Sequence, residues 1–88
     1  MGKIKGWTKR IDKENLIVWY NDYKSDRFKM MIVERRSTEG PIIAFKWVVE
    51  LSIHGGNIPS EIKTIAKKGS RKEAKGVAVD YMRRHPNG

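Results

Sequence analysis

Apolar positions at period two mark the clearest element. Ile43, Phe45, Trp47, Val49, Leu51 and Ile53 alternate with Ile42, Ala44, Lys46, Val48, Glu50 and Ser52. A strand sends successive side chains to opposite faces, so this run predicts a central strand with the first set buried. Trp47 belongs to that set and reads as a core residue. A second alternation sets Phe28, Met30 and Ile32 on one face and Lys29, Met31, Val33 and Arg35 on the other, predicting a strand over 28–36. A shorter one over 62–67 predicts a further strand. The run Leu-Ile-Val-Trp-Tyr at 16–20 admits two readings. Leu16, Trp19, Tyr20 and Tyr23 have helical spacing, but the density of β-branched and aromatic residues favours a strand. Residues 21–26 then form a hairpin loop and 6–11 add a short strand before it. One of Trp19 and Tyr20 must face away from the core.

The pattern changes after Gly69. Ser70 and Glu73 have the S-x-x-E spacing of a helix capping box. Ala74, Val77, Ala78, Tyr81 and Met82 follow at helical spacing as one apolar stripe, with Lys72, Lys75 and Arg83 on the opposite side. Arg83, Arg84 and His85 suit the negative end of the helix dipole, and Pro86 stops the helix. Turn signals lie at Asn21-Asp22, at Thr38-Glu39-Gly40-Pro41, at His54-Gly55-Gly56-Asn57 with Pro59, and at Gly69-Ser70. The expected fold is α+β: an antiparallel sheet of three to four strands packed on one C-terminal α-helix. Residues 1–86 make one small domain and 87–88 a frayed tail.

Charge adds a partner class to this picture. The 88 residues carry 19 Lys and Arg against 10 Asp and Glu, a formal net charge of +9. Residues 1–13 hold a net +4 and residues 63–88 a net +6, while the middle of the chain is nearly balanced at −1. Clustered like charge repels itself and persists more easily when a polyanion relieves it. There is no cysteine, which excludes a disulfide scaffold, a zinc finger and thiol chemistry. No apolar run approaches the ~20 residues of a membrane-spanning helix. The first ten residues lack the apolar stretch of a signal peptide. The expectation is a soluble, cytoplasmic domain with no membrane partner.

Catalysis finds little support in the residue types present. A nucleophile needs a base within reach, itself oriented by a third group. The two histidines, His54 and His85, lie in no nucleophile or metal motif, and the Ser52 and His54 pairing at a strand end is common by chance. The carboxylates are scattered. No enzyme activity, metal, cofactor or small-molecule substrate is expected. The run Lys67-Lys68-Gly69-Ser70-Arg71-Lys72 lacks the glycines of a nucleotide-hydrolysis loop. It does set a helix N-terminus, with its outward-pointing amides, among basic side chains, which suits an anion. Trp7, beside Lys5, Lys9 and Arg10, has the interleaving of rings and cations found in nucleic-acid binders.

Two families resemble parts of the chain. Residues 69–78 (Gly-Ser-Arg-Lys-Glu-Ala-Lys-Gly-Val-Ala) are similar to the start of the last helix in double-stranded RNA-binding domains, whose lysines bind phosphates across a groove. Gly40-Pro41 with Phe45, Val49 and Leu51 is similar to the strand pattern of the same family, so the resemblance covers about residues 28–82. It implies phosphate contacts for Arg71, Lys72 and Lys75. Lys46-Trp47-Val48-Val49 with Ser70–Ala74 and Tyr81 also resembles the ethylene-response-factor domains and integrase arm-binding domains, in which three strands and a helix bind DNA. Trp7-Thr8, Asn21-Asp22 and Lys46-Trp47 look like positions of small uncharacterised archaeal proteins, a likeness that implies no function.

The expected function is nucleic-acid binding, to duplex DNA or RNA, mainly through phosphates. Lys67, Lys68, Arg71, Lys72 and Lys75 would hold one backbone, and Lys9 and Arg10, with Trp7, would meet the other strand or a second groove. The alternative is a protein-interaction module or homodimer that uses an open sheet face or edge, with Met31, Val33 and Val48 as an apolar patch.

Overall fold

A computed structural model describes residues 4–24, 27–37, 45–55 and 60–86. Five strands precede one helix: β1 (Thr8–Lys13), β2 (Leu16–Lys24), β3 (Arg27–Ser37), β4 (Phe45–Gly55), β5 (Glu61–Lys68) and α1 (Arg71–Arg84). The strands form one antiparallel sheet in sequence order, β1-β2-β3-β4-β5. The α+β class with a C-terminal helix is as expected, but the sheet has five strands rather than three to four. The fifth is β1, the short strand expected over 6–11, which lies at 8–13; its polar sequence Thr-Lys-Arg-Ile-Asp-Lys carries almost no alternation because it is an edge strand, exposed along nearly its whole length. The first run is a strand, and it continues beyond the expected loop start: Asn21 pairs with Lys29 and Lys24 with Arg27. The turn residues 38–41 and 56–59, strand positions 42–44 and the tail 87–88 lie outside the described residues.

The register explains the core. Ile17, Val33, Val49 and Ala66 line up across β2 to β5, and Trp19, Met31 and Leu51 form the neighbouring row. These residues face α1, which lies across β3, β4 and β5 and buries Ala74, Ala78 and Met82 against them. Ile17, Met31, Val33, Val49 and Met82 are fully buried. Burial of side chains this size stabilises the fold by about 1.5–3 kcal/mol each. Trp47 is half-buried against the same cluster.

Trp19 is the aromatic of its pair that enters the core, while Tyr20 faces away from the helix. The expected apolar patch of Met31, Val33 and Val48 does not form. Both faces of β3 are apolar, and pairing with β4 turns Met31 and Val33 inward beside Leu51 and Val49, leaving Val48 on the opposite face.

Helix α1 begins where the capping spacing predicts. Ser70 has extended backbone angles (φ −140°, ψ 158°), and its hydroxyl accepts the Glu73 backbone N–H at 3.2 Å. At the other end the His85 N–H donates to the Met82 carbonyl, and the His85 ring stacks on Tyr81. This end is fastened to the start of the chain. The Trp7 indole N–H donates to the His85 carbonyl at 2.9 Å and the Asn21 amide to the Pro86 carbonyl at 3.0 Å. A tight turn makes this possible: the Trp7 backbone N–H donates to the Ile4 carbonyl, and Gly6 takes φ +85°. A Cβ at Gly6 would stand 1.8 Å from the Pro86 carbonyl oxygen.

Candidate nucleic-acid interface

Basic residues of the first strand and of the helix start meet at one carboxylate, Asp12, which lies 59 positions before Arg71. Asp12 Oδ2 accepts from Lys9 Nζ at 3.0 Å, and Asp12 Oδ1 accepts from Arg71 Nη2 at 2.8 Å. The meeting depends on an irregularity in β1. Residues three apart in a regular strand point to opposite faces. Here the register shifts between Lys9, opposite Trp19, and Ile11, opposite Val18, so Arg10 is an extra residue. The shift brings Asp12 opposite Ile17, onto the helix side with Lys9. Lys75 adds its charge one helical turn beyond Arg71. The Lys9 hydrogen bond, with the charges of Lys9, Arg71 and Lys75, holds the Asp12 carboxyl below the usual carboxylate range.

Along α1, Arg71, Lys75, Val79 and Arg83 recur every four residues, and Lys72, Gly76 and Asp80 run beside them. Together they line a shallow open trough of about 770 Å³. Its cations are Arg71, Lys72, Lys75 and Arg83, and its acid is Asp80, which pairs with Arg84 at 3.3 Å. At Gly76 a Cβ would meet no atom within 4 Å, so the middle of the trough is open to close approach. This surface combines four cations, a helix N-terminus and a missing side chain, which suits a chain of anionic groups.

The expected site residues divide between the two faces of the sheet. Lys9, Arg71, Lys72 and Lys75 share the helix side. Lys68, opposite Trp47, ends β5 just before the helix. Lys67 pairs with Val48 and points to the face away from α1, as does Arg10, whose guanidinium lies 5.6 Å from the Tyr20 ring centroid. Trp7 is only 5% exposed, with its N–H used by His85, so its ring serves the fold. Arg83 and Asp12 are the residues that reading the sequence left out of the site. Helical spacing from Arg71 gives Arg83, whereas nothing local gives Asp12.

The face away from the helix carries a different set. Tyr20, Phe28 and His54 stack in a row across β2, β3 and β4, with centroids 5.8 and 5.0 Å apart. Arg10 covers the free side of Tyr20, so the rings are used by one another. His54 also contacts the Ser52 hydroxyl through Nε2 and the Ser60 hydroxyl through Nδ1. Ser52 is buried within the sheet. Glu50, nearly buried, pairs with Arg36, which also reaches Glu34; the two carboxylates raise the Arg36 guanidinium above its ordinary range. Among the described residues no group of three or more His, Asp or Glu side chains is arranged to hold a metal, and no helix is long and apolar enough to cross a membrane. No family model, curated protein or solved structure matches this chain.

Proposed function

We propose that the protein binds nucleic acid, with duplex DNA or RNA favoured, through phosphate contacts along the outer side of α1 and the adjoining residue of β1. The carrying observation is the convergence of Lys9, Arg71 and Lys75 beside a trough that also holds Lys72 and Arg83. Phosphate contacts fix position without reading sequence, so discrimination among duplexes is weak. The two sheet edges support this reading over strand pairing with another chain. β1 is exposed and charged, and β5 carries Lys63, Lys67 and Lys68, the residue type that blunts an open edge. The test is binding to matched duplex DNA, duplex RNA and single strands at several salt concentrations. Log affinity should fall with log salt by about 0.9 for each phosphate neutralised on B-DNA. Absence of binding at low salt would end the proposal.

A second reading rests on the face away from the helix. Leu16, Tyr20, Phe28, Met30 and Ile32 are half-buried there, and Ile62 is 65% exposed. An apolar sheet face of this kind suits a protein partner or a second copy of the chain. Such an association would persist in high salt, where phosphate binding is lost.

A further inference from the structure

The carboxylate at the centre of the basic cluster is the residue least suited to a phosphate-binding surface. Asp12 is exposed, so burial does not force it to have partners, yet each of its oxygens holds a different cation: Lys9 from β1 and Arg71 from α1. Two oxygens of one anion bridging two cations is also how a phosphate would engage the pair. Arg71 is engaged from one side only. Its Nη2 binds Asp12, while its Nε is buried and without a partner among the described residues, so the guanidinium fork is half used. A planar guanidinium is best satisfied by two parallel contacts to one anion.

We infer that Asp12 is an internal stand-in for a phosphate, holding Lys9 and Arg71 together while the surface is empty and giving them up when a nucleic-acid backbone arrives. This rests on the nucleic-acid reading above. It adds that the empty site is restrained: bound phosphate must displace a carboxylate, which lowers affinity and penalises ligands that offer only one isolated charge. The restraint also keeps two long side chains, each rich in rotamers, from dispersing into solvent.

The test compares Asp12→Asn with Glu14→Gln, both measured against the wild type on one duplex across a salt series. Each change adds one unit of net charge, and Glu14 is exposed in the turn between β1 and β2. Asp12→Asn should bind about fivefold tighter, the effect of removing one charge a few ångströms from a phosphate in a water-rich setting. Its salt slope should steepen by up to about 0.9. Glu14→Gln should stay within about twofold of the wild type. Equal effects of the two variants, or weaker binding by Asp12→Asn in a chain that is still fully folded at the assay temperature, would overturn the inference while leaving the nucleic-acid reading in place. A wild type that binds no nucleic acid at low salt would overturn both.

Discussion

Lys9 and Asp12 stand three positions apart on one strand and still share a face, because Arg10 is the extra residue of a bulge between them. In an even strand Asp12 would lie beneath the sheet and Arg71 would have no carboxylate to meet. A single inserted position therefore decides whether the basic first strand and the basic helix form one surface or two.

If that surface carries the phosphate contacts, removing its helix cations should weaken binding without harming the fold. Arg71→Ala with Lys75→Ala should reduce duplex affinity at least tenfold at moderate salt and lower the salt slope by about 1.8, two phosphates' worth. Lys67→Ala, on the other face, should change affinity far less. A fluorescence titration at four salt concentrations distinguishes the two; equal losses would move the interface away from α1.

Gly6 and Gly76 should respond in opposite directions. Gly6 has φ +85° and no room for a Cβ beside the Pro86 carbonyl, so Gly6→Ala should cost about 2 kcal/mol or more. Gly76 lies mid-helix with open space around it, and Gly76→Ala should stabilise by about 0.5–1 kcal/mol. Urea unfolding midpoints give both values. If Gly76→Ala also weakens duplex binding, the missing side chain serves the ligand's close approach.

Trp7→Phe keeps most of the apolar bulk and removes the indole N–H. The His85 carbonyl then loses its donor, at a cost of about 1–3 kcal/mol. Thermal melts should show the loss, and duplex affinity of the folded fraction should be unchanged. Lost affinity in a stable Trp7→Phe protein would instead make this ring a ligand contact.

Acid should weaken the link between β1 and α1. The Asp12 carboxyl titrates lower in the folded chain than in the unfolded one, because Lys9, and then Arg71 and Lys75, favour its charged form. Its stabilising contribution is therefore complete above the ordinary carboxyl range and disappears as pH falls through the lowered value. Unfolding midpoints of the wild type and Asp12→Asn should differ at neutral pH and converge as pH falls through the lowered carboxyl range. A constant difference would mean that the carboxylate charge is not what Asp12 contributes.

Strand β4 and helix α1 were legible in the sequence because each keeps its period over many residues: two from Phe45 to Ile53, and 3.6 from Ala74 to Met82. Strand β1 was only faintly legible, since an edge strand exposed on both faces needs no alternation. Which face of β3 turns inward was also hidden, because Met30 and Met31 are equally apolar and only pairing with β4 selects between them. Within the candidate site, Arg71, Lys72 and Lys75 follow from their position at a capped helix start. Asp12 does not, because its place depends on the bulge. The lysine neighbours of Trp7 point to a ligand residue, whereas its hydrogen-bond partner is 78 positions away and no local signal reveals it.

That separation bears on how the chain is made. Trp7 leaves the ribosome 78 residues before His85, so the bond between them closes only after α1 has been made. Until α1 emerges, the face bearing Ile17, Trp19, Met31 and Val33 has no cover, and the nascent sheet is open to chaperones and proteases. A chain cut short before α1 would keep that face bare. The fastening of the helix end to the first turn thus delays closure of the fold until α1 is in place.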